Sequence, residues 1–307
     1  MTPGQPVVLG TRGSRLALTQ AESCARKLRD AGLDVEVQVI KTTSEQRPET
    51  PFSVIDQRDV FTRQLDDALL AGEIDLAVHS LKDVPTTLRE GISLAAVSER
   101  HDPSDVLVSE ERYDLDGLPE GAVVATSSLR RRAQILNRRP DVNIVEIRGN
   151  VDTRVRKLRE GAADALVLAR AGLERIGLDA PHTVIPTGVM LPAVGQGALA
   201  VATLSDHVLY GRLGEVLNDG VTEKTTMAER ALLRTLEGGC RVPVGALGAV
   251  RGDAVYLRGI VASIDGALVY RGEADGGDPD EVGERLARDL LEQGAAVVLG
   301  EVREVRS

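Results

Sequence analysis

The chain has 307 residues and a formal net charge of -10, with 42% hydrophobic and 27% charged residues. This composition is typical of a globular protein of roughly two domains, with three small ones possible, and it excludes a wholly disordered chain. Aromatic residues make up only 2% and cysteines number two, which argues against a base-stacking nucleic-acid platform and against a disulfide framework.

Three further features concern location and metals. No run of 18 apolar residues exists, so no transmembrane helix is expected. The N-terminus lacks a basic region followed by an apolar core, so we expect a cytoplasmic protein without a secretory signal. The four histidines show no metal-ligand spacing, and no metal site is predicted.

Strands and helices alternate in the first third of the chain. Apolar runs predict strands, and apolar residues at helical spacing, such as Ala17, Ala21, Cys24 and Leu28, predict a helix. In chain order the predicted elements are a strand at 7–10, a helix at 16–28, a strand at 35–40, a helix at 61–70 and strands at 74–78 and 92–97.

A polar, hinge-like stretch at 98–103 separates these elements from a second alternating series. That series comprises strands at 122–125, 144–147 and 165–168 and helices at 129–137, 151–159 and 171–176. Strands that alternate with helices in this way predict parallel sheets with helices on their faces, and therefore an α/β fold.

The pattern changes after a glycine-rich segment at 190–198. A strand at 199–203 is predicted to return to the first lobe. The elements beyond it are a helix at 225–236, strands at 245–250, 255–262 and 267–273, a helix at 280–293 and a strand at 296–299. We interpret this last part as a small α+β unit.

Polar and basic turns follow five of the predicted strands. They lie at 11–14, 80–83, 126–128, 148–150 and 169–172. Ligands bind beyond the carboxyl ends of parallel strands, where helix N-termini and arginines favour anions. Residues 126–160 include ten basic and four acidic residues within an acidic chain. The pattern predicts a cleft between two lobes, lined for a ligand with many carboxylates or phosphates.

Each of these features also has a structural interpretation. Ser127 and Ser128 are suitable N-caps, and the arginines at 130–132 are suitable for a solvated helix face. Asp83, beside Lys82, is either half of a surface ion pair or a carboxylate that stabilises a developing cation and takes up a proton.

The two cysteines differ in their surroundings. Cys24 lies on the apolar stripe of the first predicted helix, which is typical of a core residue. Cys240 follows two glycines and precedes Arg241, a setting that favours thiolate chemistry or covalent attachment. An incidental loop thiol remains the alternative for Cys240.

Six motifs, in order, resemble those of porphobilinogen deaminases, also called hydroxymethylbilane synthases. They are TRGSRLAL at 11–18 with Gln20, VHSLKDVP at 78–85, TSSLRR at 126–131, RGNVDTR at 148–154, LPAVGQG at 191–197 and EGGC at 237–240. Each motif alone is modest evidence, but six in order cover nearly the whole chain.

The resemblance implies an α/β fold with two lobes like those of periplasmic binding proteins, a cleft between them and a small C-terminal α+β domain. The corresponding boundaries are 1–98 with 199–217 for domain 1, 103–193 for domain 2 and 221–307 for domain 3.

The same resemblance implies a transferase that joins four porphobilinogen units into the linear tetrapyrrole hydroxymethylbilane and releases ammonia at each step. A dipyrromethane cofactor, held as a thioether on Cys240, primes the chain. The family also implies a cytoplasmic monomer that needs no metal and whose product passes to later enzymes of tetrapyrrole and haem biosynthesis.

The site residues follow by matching motif positions. Asp83 matches the catalytic carboxylate of the family. The residues that match its cofactor binders are Lys82, Thr126, Ser128, Arg130, Arg131 and Arg154. Those that match its substrate binders are Arg12, Ser14, Gln20, Arg148, Arg154 and Arg175. Arginines suit this ligand because each pyrrole unit carries an acetate and a propionate.

One segment departs from the family. Many members have a Gly-Lys-Gly-Leu-Phe-x-Lys-Glu-Leu run where this chain has QRDVFTRQL at 57–65. Arg58 can replace a lysine charge and Phe61 is kept, but the glycines are lost, which puts a flexible lid in doubt. Arg170 is a further residue to which the motifs assign no role.

Two other classes of function compete with the enzyme. A non-catalytic module for a small polyanion would use the same two-lobed architecture, but it would not need Asp83 and Cys240 in their motifs. A nucleic-acid binder would use the arginine-rich segment, but the net charge and the scarcity of aromatic residues argue against it.

Overall fold

The computed structural model describes residues 5–41, 62–236 and 242–304. The chain divides into two compact units. Unit 1 comprises Met1–Arg100 and Ala198–Glu223, and unit 2 comprises His101–Gly197 and Lys224–Ser307. The division into three domains with the boundaries given above stays a prediction.

The strands and helices are numbered in chain order. The strands are β1 (Val7–Thr11), β2 (Val35–Val39), β3 (Leu76–Ser80), β4 (Ile92–Val97), β5 (Asp105–Val108), β6 (Val123–Ala125), β7 (Asn143–Val145), β8 (Ala165–Ala169), β9 (His182–Ile185), β10 (Leu199–Leu204), β11 (Val244–Arg251), β12 (Ala254–Ala262) and β13 (Val269–Gly276). The helices are α1 (Arg15–Asp30), α2 (Arg63–Leu70), α3 (Leu129–Arg138), α4 (Val151–Arg159), α5 (Arg170–Arg175), α6 (Tyr210–Leu217), α7 (Gly220–Thr235), α8 (Pro279–Leu290) and α9 (Ala296–Glu304).

Unit 1 contains a five-stranded sheet with the order β2-β1-β3-β10-β4. β1 is parallel to β2 and β3, whereas β10 is antiparallel to β3 and β4. The predicted return of the strand at 199–203 to the first lobe is therefore confirmed. Helix α1 packs on this sheet through Ala17, Ala21, Cys24 and Leu28, all of them buried, so the assignment of Cys24 to the core is also confirmed.

Unit 2 contains a second five-stranded sheet, with the order β7-β6-β8-β5-β9. β6 is parallel to β7 and β8, and β5 is antiparallel to β8 and β9. β5 and β10 each occupy the fourth position of their sheet, and each is the first strand after the chain crosses from one unit to the other. The predicted parallel pairing is confirmed for the alternating strands, β1 with β2 and β3 and β6 with β7 and β8. β5 and β10 run antiparallel to their neighbours, because a strand that enters from the other unit is not preceded by a crossover helix that would turn it parallel.

The C-terminal part of unit 2 has its own three-stranded antiparallel sheet, β11-β12-β13. Helix α8 packs on β12 and β13, and buried side chains such as Leu257, Val282, Leu286 and Leu290 form the core between them. This confirms a small unit of mixed α+β structure.

Several predicted elements need correction. The segment predicted as a strand at 296–299 is part of helix α9, and the sequence pattern did not predict β5, β9 or α6. Ala295, directly before α9, and Val298 and Leu299 within it are buried while Val297 is exposed, which is the spacing of one helical face. A run of four apolar residues does not distinguish a strand from a buried helical turn.

Candidate functional site

Two turns of unit 1 lie at the same edge of its sheet. β1 and β3 are adjacent and parallel, with Leu9 opposite Leu76, so the segments that follow their carboxyl ends emerge together. Arg12 follows β1. Lys82 and Asp83 lie in a 3-10 turn directly after β3, and all three side chains are half-buried. The expectation that these turns come together within this lobe is confirmed.

Helix α1 begins at this edge of the sheet, where two polar side chains, Ser14 and Gln20, form hydrogen bonds. Ser14 is the N-cap, and its hydroxyl accepts a hydrogen bond from Ala17 N–H (3.3 Å). Gln20 is buried, and its Nε2 donates to Ser80 Oγ (2.9 Å) at the end of β3. Gln20 therefore fixes the strand end that leads into Lys82 and Asp83, and its contact with substrate stays a prediction.

His79 is a residue of this edge that the motif contains but to which sequence reasoning assigned no role. Its side chain is buried, and its Nε2 has no hydrogen-bond partner in the described part of the chain. Burial, together with the positive charge of Arg12, lowers the pKa of His79 from 6.5 to about 4. The imidazole is therefore neutral at pH 7.

In unit 2, three turns emerge at one edge because β6 lies between β7 and β8 and is parallel to both. Thr126 is buried after β6, and its Oγ1 accepts from Ser128 N–H (3.2 Å). Ser128 Oγ accepts from Arg131 N–H (3.4 Å) at the start of α3. The N-cap interpretation is thus confirmed for Ser128. It is wrong for Ser127, whose hydroxyl instead donates to the carbonyl oxygen of Ile147.

Arg130 and Arg131 do not form a solvated helix face. They are 4% and 6% exposed and share one carboxylate, Asp105, which is 0% exposed. Arg130 Nη1 lies 2.8 Å from Asp105 Oδ2, and Arg131 Nη2 lies 2.8 Å from Asp105 Oδ1. Burial alone would raise the pKa of Asp105, but the two guanidinium groups hold it well below its ordinary value. The carboxylate is therefore ionised.

Three further basic residues of this lobe, Arg148, Arg154 and Arg175, are half-buried, and the last two donate to backbone oxygens. Arg154 Nε donates to Gly149 O (2.7 Å), and Arg175 Nη2 donates to Gly197 O (2.6 Å). Arg148 lies 3.2 Å from a carboxylate oxygen of Glu146.

Arg170, to which the motifs assigned no role, is half of two ion pairs. It contacts Asp102 (2.5 Å) and Glu174 (2.7 Å). It therefore joins the start of α5 to the segment that precedes β5.

Some predicted residues lie outside the described part of the chain. These are Cys240 and the part of the divergent segment at 57–61. The thiol's attachment to a cofactor and the lid behaviour of that segment stay predictions.

Two family models match the chain. The model described as "Porphobilinogen deaminase, dipyromethane cofactor binding domain" matches residues 7–209, and that for the "Porphobilinogen deaminase, C-terminal domain" matches residues 224–292. The chain belongs to the porphobilinogen deaminase family.

Curated relatives of this family are similar over nearly their full length. A porphobilinogen deaminase from Rubrobacter xylanophilus is 65% identical over 300 residues, which cover 98% of each chain. One from Desulforudis audaxviator is 48% identical over 302 residues, with 97% of this chain and 98% of the relative covered.

Solved structures of binding proteins show a distant likeness. The methionine-binding protein MetQ has a TM-score of 0.44 at 16% identity, over 68% of this chain and 89% of that one. A periplasmic substrate-binding protein from Coxiella burnetii has a TM-score of 0.43 at 17% identity, over 73% of this chain and 96% of that one. With TM-scores this low, the likeness is no evidence that this protein shares a ligand or an activity with these binding proteins.

Within residues 5–41, 62–236 and 242–304, no helix is long and apolar enough to cross a bilayer. In the same ranges no group of three or more His, Cys, Asp and Glu side chains is placed to hold a metal ion.

Proposed function

We propose that this protein is a transferase that joins four porphobilinogen units into hydroxymethylbilane and releases ammonia at each addition. The observation that carries the proposal is a buried excess of positive charge at the site, in a chain that matches the family over nearly its whole length. Within the described residues, Arg130 and Arg131 share the single carboxylate Asp105, so these three side chains have a net charge of +1 away from solvent. A buried excess cation is stabilised by an anionic ligand.

The residues of the cluster fit a dipyrromethane cofactor, because its side chains are carboxylates. Arg130 Nε is buried and, within the described residues, has no hydrogen-bond acceptor. The side chains that we propose to hold the cofactor carboxylates are Lys82, Thr126, Ser128, Arg130, Arg131 and Arg154. We propose Cys240 as its covalent anchor. When bound, the group supplies the primer to which the first substrate unit is joined.

The substrate carboxylates require further cations at the same sheet edges. We propose that Arg12, Ser14, Gln20, Arg148, Arg154 and Arg175 supply this binding. Arg148, Arg154 and Arg175 are half-buried, so their side chains are reachable from solvent while their stems are held by the fold. Bidentate guanidinium contacts would also fix the orientation of each pyrrole ring.

We assign the chemical step to Asp83. Loss of ammonia from porphobilinogen leaves an electron-poor pyrrole, and the following carbon–carbon bond formation places positive charge on a pyrrole nitrogen. A half-buried carboxylate held in a short turn can accept a hydrogen bond from the pyrrole N–H, stabilise this charge and take up the proton released from the ring carbon.

The remaining part of the proposal concerns the state of the enzyme. We propose a cytoplasmic monomer that hands its linear product to a later enzyme of tetrapyrrole biosynthesis.

Intact mass of the purified chain tests this proposal. We expect an excess that equals two linked pyrrole units, and we expect the excess to be absent in Cys240→Ser. Cys24→Ser is the matched control, because Cys24 is a buried core residue of α1 and should leave the adduct in place. An unmodified chain that also fails to gain the adduct on incubation with porphobilinogen would rule out the assignment.

A further inference from the structure

Asp105 is the first residue of β5 and accepts hydrogen bonds from three side chains. Its Oδ2 accepts from Arg130 Nη1 (2.8 Å), and its Oδ1 accepts from Arg131 Nη2 (2.8 Å) and Nε (3.2 Å). Gln196 Nε2 donates to the same Oδ1 (2.9 Å). All four residues are buried, so these bonds form without competition from solvent.

Backbone oxygens complete the arrangement of the two arginines. Arg130 Nη1 also donates to Leu191 O (2.7 Å), and Arg131 Nη1 donates to Val167 O (3.0 Å). Each guanidinium is thus held by the Asp105 carboxylate and by one carbonyl. A planar group that is held at two points has little rotational freedom left.

Gln196 connects Asp105 to the glycine-rich segment at 190–198. Its Nε2 donates to Pro103 O (2.7 Å) as well as to Asp105, and it is 1% exposed. The carboxylate is therefore itself held in position, by a residue that belongs to one of the six motifs.

The charge balance of this cluster leaves one positive charge uncompensated. Among the residues that the structure describes, Asp105 is the only carboxylate paired with Arg130 and Arg131, and Arg130 Nε has no acceptor there. The two guanidinium groups are therefore held in place before a ligand binds, and the cluster lacks one anionic oxygen.

We propose that Asp105 is a positioning residue, whose carboxylate orients the guanidinium groups of Arg130 and Arg131 to receive a carboxylate of the dipyrromethane cofactor. Gln196 supports this role because its hydrogen bond holds the Asp105 carboxylate in position. This inference rests on the proposed function. Asp105 makes no contact with cofactor or substrate in this arrangement and acts only through the two arginines.

Asp105→Asn tests the inference because it keeps the size of the side chain and removes its charge. We expect the fraction of chains that carry the two-pyrrole adduct, measured by intact mass, to fall by about tenfold or more, the effect of losing a charged hydrogen-bond partner. Leu107→Ala in the same strand is the control for stability, because Leu107 is buried and touches the core rather than the cluster. Loading is compared at a temperature where both variants are folded to the same extent.

A second variant keeps the inference testable where Asp105→Asn does not fold. Gln196→Met removes the Gln196 bond to Asp105 and retains the length of the side chain, and we expect a smaller loss of adduct in the same direction. Asp116→Asn is the matched control, since its carboxylate pairs with Arg138 at the surface and should leave loading unchanged.

The outcomes separate this inference from the proposed function. Loading that equals the unsubstituted chain in folded Asp105→Asn, or equal losses in Asp105→Asn and Leu107→Ala at equal folded fraction, would overturn the positioning role. The assignment of Arg130 to the cofactor is checked by Arg130→Gln. If Arg130→Gln stays loaded, the proposed cofactor site is wrong; if it loses the adduct while Asp105→Asn and Gln196→Met keep it, only the present inference is wrong.

Discussion

Asp83 and His79 lie on either side of the end of β3 and have different surroundings. Asp83 is half-buried in a turn, where it can meet a ligand, whereas His79 is buried in the strand and neutral at pH 7. Both belong to one motif, but the sequence pattern singled out only the carboxylate. The reason is that the burial of His79 depends on elements that pack over β3 from elsewhere in the chain.

At the scale of single residues, we predict that Asp83→Asn abolishes most of the activity. Turnover of porphobilinogen should fall by about 10² to 10⁴, the usual contribution of a positioned acid–base group, while the circular dichroism spectrum is unchanged. Asp67→Asn is the matched control, because Asp67 pairs with Arg89 on the surface of the same unit. Near-normal turnover in Asp83→Asn would remove this residue from the chemical step.

From the lowered pKa of His79, we predict that the folded chain loses stability as the pH falls. The unfolded chain binds a proton at this residue below pH 6.5, whereas the folded chain does so only near pH 4, so the stability that is fully present above pH 6.5 is lost as the pH falls toward 4. The full loss corresponds to roughly 3 kcal/mol. Between about pH 7 and about pH 4.5, the free energy of unfolding in urea should therefore decrease by roughly 2 to 3 kcal/mol more in the unsubstituted chain than in His79→Gln. Parallel pH profiles would contradict this prediction.

At the scale of elements, local pattern predicted most helices and strands close to their observed bounds. Helix 151–159 and strand 92–97 agree with α4 and β4 at both ends. The failures are short or atypical segments. β5 begins with Asp105, a residue that strands disfavour, and it is a strand because it pairs with β8 and β9 and because Arg130 and Arg131 compensate its charge.

Because α8 packs closely on α7 at Gly283, we predict that alanine at this position is destabilising. A Cβ added at Gly283 would lie 2.4 Å from Ala228 O and 2.6 Å from Ala231 Cβ, so the helices approach too closely for any side chain there. We expect Gly283→Ala to lower the free energy of unfolding by about 1 to 3 kcal/mol, although alanine favours helices.

Gly300→Ala in α9 is the matched control for this prediction. No described atom lies within 4 Å of a Cβ at Gly300, so the substitution should be neutral or raise the free energy of unfolding by up to about 1 kcal/mol. Urea unfolding of both variants checks the pair, and a stabilised Gly283→Ala would show that the two helices can move apart without cost.

At the scale of the whole molecule, a buried carboxylate joins the C-terminal sheet to the rest of unit 2. Glu229, on α7, is 0% exposed. Its Oε2 accepts from Gly195 N–H (2.8 Å) in the glycine-rich segment, and its Oε1 accepts from Gly248 N–H (2.8 Å) in β11. The segment that holds Asp105 through Gln196 is thus connected to the sheet of the C-terminal part.

We predict that Glu229→Ala destabilises the chain by about 2 to 4 kcal/mol, because the N–H groups of buried Gly195 and half-buried Gly248 lose a charged acceptor. Glu229→Gln should have an intermediate effect, since it keeps one acceptor oxygen. Glu223→Ala on the same helix is the control, because Glu223 is exposed and should change the free energy of unfolding by less than about 1 kcal/mol. Equal effects of the two alanine substitutions in thermal unfolding would contradict the connecting role.

The order of the motifs, the alternation of strands and helices, the core position of Cys24 and the polar turns after the strands were readable in the sequence alone. These features depend on residues that are close along the chain, where periodicity and turn chemistry act directly. Only the tertiary structure decided that β5 and β10 run antiparallel, that Arg130 and Arg131 are buried around Asp105 and that His79 is neutral. Each of these depends on contacts between distant segments, such as the bond from Gln196 to Asp105, and long-range packing leaves no periodic signal in a single sequence.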